Sequence, residues 1–493
     1  MAKSLSILYV TSEVFPFAKV GSLGDAAHAF TLAVRDFGHD IRVMLPKYGN
    51  VSERKNKIHE INRLKDIPIP VGDESDPATV KSSSMASPRT KVQAYITTNF
   101  RYFDQKKTFY NDPKTGLPLA DNDERFIFFQ RSVLETCMIL GWMPDIIQCN
   151  DWQTALLPAY IKMMYPSKFK KTKVILNIHD FERQGVFPAT TFEKTGFEKS
   201  LKKHFIHKNN FNFLKAGIVF ADYITTNSPS YAKQILKDNN YSNGLNKVLA
   251  ERTDKFEGIL LGLDGYHFNP KFDPEIHKKL SDDILTFKHE NKKHLSKDTG
   301  IPFQLNVPLL GMVSRIHEHK GIDLIIDSAD KLMKENVNVV ILGQGDAELK
   351  KKLKKVVTKY PQKFVYIDEY NEKLAHQIFA GSDIYLAPGN YVPSGVSTMF
   401  ALTMASVPVV YNTGAHSDFI ENYNPKTKKG NGFVLSDYTS ADFLKSIKSA
   451  VTLFNDRESW NTIMENAQAT DLSWTKSVRK FDEIYKNVFK EIQ

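Results

Sequence analysis

Short, nearly uninterrupted apolar runs alternate along the chain with longer amphipathic segments. Ser6–Thr11, Ile41–Pro46, Lys91–Thr97, Ile146–Asn150, Lys173–Ile178 and Tyr223–Ser228 read as buried strands. Helical periodicity separates several of them, over Ala26–Phe37, Asp123–Leu140 and Thr154–Tyr165. Strands that are apolar on both faces and alternate with helices predict a parallel sheet covered on both sides. The pattern then restarts, with strands expected at Pro308–Ser314, Val337–Gly343, Lys363–Ile367, Ile384–Pro388 and Val407–Tyr411. Two doubly wound α/β domains are the simplest account. The charged stretch from about Gly262 to Pro308 carries the boundary, dividing residues 1–260 from 261–473. A last helix, roughly Trp474–Glu491 within 474–493, lies beyond the second sheet and is free to return to either domain. Gly72–Thr90 and Asn422–Gly432 read as surface loops from their Asp, Ser, Asn, Pro and Gly content.

Composition narrows the function classes. The 493 residues are 42% hydrophobic, enough for sizeable cores. The net charge of +10 invites nucleic acid as a partner, but no binding signature accompanies the lysines of Lys350–Lys355 or of Lys168, Lys170, Lys171 and Lys173. They read as solvated surface. Two cysteines, Cys137 and Cys149, exclude a disulfide scaffold, and no metal-ligand spacing occurs. No apolar run reaches the length of a membrane span, and the first residues read as a strand instead of a secretory signal, so a cytoplasmic protein is expected.

Four segments carry candidate chemistry. Lys19-Val20-Gly21-Ser22-Leu23-Gly24-Asp25 follows a strand and opens a helix, where backbone amides and a lysine suit an anionic ligand or a tight turn. In Met312–Gly321, Arg315 offers a planar fork for phosphate oxygens, and Lys320 adds a second cation. His179 and Asp151 each end a strand; the histidine is a hydrogen-bond donor to substrate or a structural group, and the aspartate is a site residue or a helix cap. Ala387–Ala401 is a loop that becomes a helix near Gly395, with exposed amides suited to phosphate or sugar hydroxyls. No carboxylate lies between Asp383 and Asp418, so this loop supplies no acid or base.

These residues resemble those of the bacterial glycogen synthase and plant starch synthase family nearly end to end. Lys19–Asp25 is similar to the family's Lys-x-Gly-Gly-Leu-Gly-Asp, with Ser22 at the second glycine. Ile41–Gly49, Pro144–Ala155, Asn212–Asp222, Val313–Gly321 and Leu374–Asp383 also match. The resemblance implies the GT-B fold, two Rossmann-like domains facing a central cleft, with an acceptor side and a nucleotide-sugar side. It implies retaining transfer of glucose from ADP-glucose to the 4-hydroxyl end of an α-1,4-glucan, without metal or other cofactor. By position, Lys19, Gly21, Asp25 and Asp151 line the cleft, and His179 approaches the donor glucose. Arg315 and Lys320 hold the diphosphate, Thr413-Gly414 meets the distal phosphate, and Ser394-Gly395 belongs to the donor loop.

Departures gather on the sugar side. The family's Glu-Pro-Cys-Gly is Val392-Pro393-Ser394-Gly395, its downstream glutamine is Thr398, and Phe400 stands where related families carry a glutamate. Its His-Asn-x-x-Tyr-Gln-Gly is His179-Asp180-Phe181-Glu182-Arg183-Gln184-Gly185, and its Thr-Gly-Gly-Leu-Ala-Asp is Thr413-Gly414-Ala415-His416-Ser417-Asp418. Its Asn-Gly-Ile-Asp is Leu261-Gly262-Leu263-Asp264. Two functions are therefore expected from the resemblance: a working synthase, or a catalytically silent homologue that binds glucan or nucleotide.

Overall fold

The computed structural model describes residues 4–490 apart from 113–114, 264, 266–267, 282, 303 and 370; Asp264 of the linker motif thus lies outside the described residues. The chain divides into two compact units, Met1–Gly262 together with Trp474–Gln493, and Leu263–Ser473.

The first unit is built on a ten-stranded sheet. Its parallel part runs in the order Phe256–Gly258, Tyr223–Thr226, Lys173–Ile178, Ile146–Asn150, Ser6–Val10, Asp40–Pro46 and Lys91–Thr98. Ser6–Val10 (β1), Ile146–Asn150 (β2) and Lys173–Ile178 (β3) lead into the candidate residues, and all their residues but Ser6 and Lys173 are buried. Helix α1, Ser22–Phe37, covers one face with a stripe of Ala26, Phe30 and Val34. The last helix returns to this unit: Trp474–Lys490 packs Trp474 and Phe481 edge-on to Phe30 at 5.4 and 4.8 Å, and Asp482 lies 3.1 Å from His39 Nε2.

The expected Gly72–Thr90 loop is instead mostly a 13-residue strand, Glu74–Ala86, antiparallel to both Lys91–Thr98 and Ile67–Val71. Ala78, Val80 and Met85 face inward while the serines and lysine stand at the surface. One solvated face tolerates the polar composition that reads as a loop. The expected Thr154–Tyr165 helix is broken into a 3-10 turn at Trp152–Thr154, a short helix at Leu157–Ala159 and a wider turn at Tyr160–Met164. Pro158 has no amide to bond backward, so the first turn ends and a new one begins.

The second unit holds a six-stranded parallel sheet in the order Phe364–Ile367, Asn338–Leu342, Leu309–Val313 (β4), Ile384–Ala387 (β5), Val407–Tyr411 (β6) and Phe433–Leu435. In each sheet the chain winds outward in both directions from its first strand. The strand order reverses between β1 and β2 in one unit and between β4 and β5 in the other. At such a reversal the loops leaving two neighbouring strands diverge and open a crevice at their carboxyl ends.

Candidate active site

In the first unit, the segment after β1 leads into the Lys19–Asp25 turn. Lys19 Nζ lies 2.9 Å from Asp25 Oδ1, and both side chains are mostly buried. Gly21 occupies the position before the first turn of α1, in extended backbone. Its amide is not held for a ligand. The carboxylate of Glu13, 4% exposed, accepts from Val20 N at 2.6 Å and from Gly21 N at 3.0 Å. Tyr110 donates to the other oxygen of Glu13 at 2.7 Å. The clamp takes the two amides that precede α1, and not those of its first turn. Nothing in the sequence distinguishes Glu13 from a surface glutamate, except that it follows a buried strand within three residues.

After β2, Asp151 has φ 57° and ψ −175°, a strained conformation for any residue but glycine. It does not cap the following turn. Its Oδ1 accepts from the amides of His179 at 2.6 Å and Asp180 at 3.3 Å, so the carboxyl group ties the exit of β2 to that of β3. Burial, with Asp180 nearby, pushes its pKa up to about 8, and the group is neutral near pH 7. His179 is 8% exposed, and burial lowers its pKa to about 4. Thr225 donates to Asn177 Oδ1 at 3.0 Å, which turns the Asn177 amide toward His179 Nε2, 2.8 Å away. Nε2 is thus bound into the polar shell at the buried ends of β2 and β3, and Nδ1 is the other ring nitrogen. Asn150 Oδ1 also stands 3.2 Å from Nε2, while Asn150 Nδ2 is held by Val10 O. Polar residues at the buried ends of strands are the signal that this asparagine shell offers in sequence.

The two shifts have opposite consequences for stability. Asp151 is held above its unfolded value, so its contribution is present below about pH 4 and lost as pH rises through about 8. His179 is held below its unfolded value, so its contribution is lost as pH falls from about 6.5 to about 4. Asp151→Asn keeps the acceptor oxygen and removes the ionisation. Between about pH 4 and 6.5 the two slopes offset one another, so thermal melts of this variant are expected to gain stability with rising pH there, relative to wild type, and to lack the Asp151 decline up to about pH 8; superimposable profiles would refute the assignment.

In the second unit, Arg315 stands exposed past the end of β4 and Lys320 is half-buried, its Nζ 3.5 Å from Tyr391 O. The loop after β5 packs against the same segment: His319 Nδ1 lies 3.1 Å from Asn390 Oδ1, and a Cβ on Gly389 would come within 2.6 Å of His319 O. Past β6, Thr413 Oγ1 donates to Asn390 O at 3.4 Å and Ala415 N donates to Val392 O at 2.9 Å. Gly414 has φ 51°, and a Cβ there would sit 2.0 Å from Val392 O. Lys320, Thr413 and Gly414 thus converge on the Pro388–Gly395 loop. Gly395, in the left-handed region, opens helix α2, Val396–Thr403, with Ser394 partly exposed just before it.

Two of the sugar-side departures belong together. Thr398 and His416 are buried, with Thr398 Oγ1 2.9 Å from His416 Nε2, and burial drives the His416 pKa down to about 3. Phe400 is also inside, stacked 3.4 Å from Phe268. These three changes repack the wall behind the loop; they do not place new groups on its open side. Val392 is 8% exposed and brings no carboxylate.

A family model described as "Starch synthase catalytic domain" matches residues 6–251, and one described as "Glycosyl transferases group 1" matches 296–468. The glycogen synthase of Chlorobaculum parvum is 33% identical over 495 residues, covering 99% of each chain. The chain belongs to the glycogen and starch synthase family. The glycogen synthase of Elusimicrobium minutum is 34% identical, covering 99% of this chain and 100% of that protein. Among solved structures, the catalytic domain of starch synthase IV from Arabidopsis thaliana, bound to ADP and acarbose, aligns with a TM-score of 0.90. It is 24% identical and covers 99% of this chain and all of that one, which establishes the GT-B fold. This family member is accordingly a retaining glycosyltransferase acting in glucan synthesis. Among the described residues, no group of three or more His, Cys, Asp or Glu is placed to hold a metal, and no helix is long and apolar enough to cross a membrane.

Proposed function

We propose that this synthase transfers glucose from ADP-glucose to the 4-hydroxyl end of an α-1,4-glucan, with no cofactor beyond the nucleotide-sugar itself. The observation that carries the reading is the gathering of Lys320 and the Thr413–Gly414 turn on the loop after β5, with Arg315 past the end of β4, at the strand-order reversal of the second sheet. Negative charge grows on the departing diphosphate as the glycosidic bond breaks. Fixed cations and the amides at the start of α2 stabilise that charge more in the transition state than in the ground state. Arg315 and Lys320 take this role, with Ser394, Gly395, Thr413 and Gly414 shaping the phosphate and sugar side.

On the first unit, Lys19, Gly21, Asp25 and Asp151 meet the substrates, and His179 donates a hydrogen bond from its imidazole to a sugar oxygen. The neutral imidazole keeps this donor at pH 7 without placing a cation against the oxocarbenium-like sugar. Retention follows from attack on the face that the diphosphate leaves, with that group taking the acceptor proton. The ADP and acarbose bound by the Arabidopsis structure are consistent with a nucleotide and a glucan as the two ligands. Two buried, free thiols, Cys137 and Cys149, are consistent with a cytoplasmic setting.

The test is glucosyl transfer and ADP release with ADP-glucose and glycogen, alongside ADP binding on the same preparation. Transfer is expected, with new α-1,4 bonds and one ADP per glucose added. Tight ADP binding with no transfer would overturn the proposal in favour of a silent, ligand-binding homologue.

A further inference from the structure

We infer that Glu13 is a positioning residue for the turn that carries Lys19 and Gly21. The inference rests on the reading that this turn meets substrate. Glu13 lies past β1, at the strand-order reversal of the first sheet, and is almost fully buried. One carboxylate oxygen accepts from two consecutive amides, Val20 and Gly21. The other accepts from Tyr110, whose oxygen is also 2.8 Å from Ser12 Oγ. The backbone carbonyl of Glu13 accepts from Thr11 Oγ1 at 2.9 Å, fixing the segment on its strand side.

A charged acceptor shared by adjacent amides is stronger than a neutral one and holds the backbone in a single conformation. Buried carboxylates are costly unless paired in this way, so the group is placed for its bonds and not as an accident of packing. Val20 is half-exposed and Gly21 exposed, Gly21 has no side chain, and α1 begins without a side-chain cap. Without Glu13, two adjacent amides lose the acceptor they share. Lys19 immediately precedes the clamped pair, and its Nζ is directed to Asp25 on the far side. Clamp and ion pair together hold the lysine before any substrate arrives.

The clamp also specifies what the turn offers a ligand. With Val20 N and Gly21 N occupied, the positive group presented here is the Lys19 ammonium and not that pair of amides. The charge on Glu13 further opposes ionisation of Asp151, consistent with a neutral Asp151 beside it.

Glu13→Gln separates position from charge. Its carbonyl oxygen can accept from both amides, while its NH₂ group donates to Tyr110, which then donates to Ser12. Glu13→Ala removes the clamp. The measurements are kcat and KM for donor and acceptor, thermal stability, and hydrogen exchange at the Val20 and Gly21 amides, on the full chain. Glu13→Gln is expected to keep kcat/KM within about threefold of wild type. Glu13→Ala is expected to lower kcat/KM by about 10²-fold, the cost of misplacing a site group by about 1 Å. It should also speed exchange at those two amides selectively.

Lys19→Ala completes a double-mutant cycle. A residue that acts through Lys19 adds little once Lys19 is gone, so the double variant is expected to match Lys19→Ala alone. Full additivity, or a Glu13→Gln loss equal to that of Glu13→Ala, would overturn the positioning role. Unchanged exchange at Val20 and Gly21 in Glu13→Ala would overturn it as well. If Lys19→Ala alone leaves activity intact, the substrate role of the turn fails, while the exchange result still decides whether Glu13 clamps it.

Discussion

Gly414→Ala is expected to lower glucosyl transfer by about 10²–10³-fold, the range seen when a positioned charge-stabilising group is lost. The added methyl would stand 2.0 Å from Val392 O, and the neighbour is backbone, not the yielding end of a side chain. Relief requires the turn or the loop to move by about 1 Å, and a displacement of that size alone costs about 10² in rate. The φ of 51° adds backbone strain for any residue with a Cβ. The same shift would break the bond from Ala415 N to Val392 O and move Thr413 away from Asn390. The effect is thus transmitted to the whole donor loop. Steady-state ADP release would measure it, with circular dichroism checking that the unit remains folded. A folded variant with activity within threefold of wild type would show that the turn does not shape the donor site.

Arg315→Ala is expected to lower kcat by about 10²-fold with almost no change in thermal stability. The stability expectation follows from exposure: Arg315 stands past the end of β4 in water and contributes little to the core. The rate expectation follows from the growth of charge on the leaving diphosphate, which a fixed cation meets mainly in the transition state. Arg315→Lys should recover only part of the loss, because an ammonium offers a point charge where the guanidinium offers a planar fork. Separate determinations of kcat and KM decide the matter. A rise in KM alone would mean that Arg315 binds ground and transition states equally. Turnover indifferent to the change would remove it from the mechanism.

Much of the fold is legible in the amino-acid order because its central strands are apolar on both faces. Ile146–Asn150, Lys173–Ile178 and Val407–Tyr411 are read to the residue, since a continuous apolar run bounded by polar positions has few other uses. Glu74–Ala86 escapes because it lies toward the edge of its sheet, where hydrogen bonds to two neighbours make a strand from a polar composition. The candidate site divides in the same manner. Asp151, His179 and Arg315 lie at or just beyond strand ends, and Lys19 and Lys320 lie in the turns that lead from strands into helices, which local pattern reveals.

Pairing across the fold is not local, and there the sequence is silent. Glu13 holds residues seven and eight positions away by a side chain that chemistry normally sends to the surface. Thr398 and His416, separate departures in the sequence, become one internal contact in space. The threonine hydroxyl meets one of the two ring nitrogens of the buried imidazole. Replacing either alone would strand a polar atom in the core. The two substitutions are intelligible only as a pair.

The return of Trp474–Lys490 to the first unit bears on how the protein is made. A nascent chain that has emerged to Gly262 holds every strand of the first sheet, but not the helix whose Trp474 and Phe481 cover Phe30. That helix is synthesised about two hundred residues later, a delay of about 10–40 s at about 5–20 residues per second on the ribosome. Throughout that interval the outer face of α1 offers unsatisfied apolar surface, the kind that chaperones hold. Completion of the amino-terminal half therefore waits on a helix that is made only after the whole second unit.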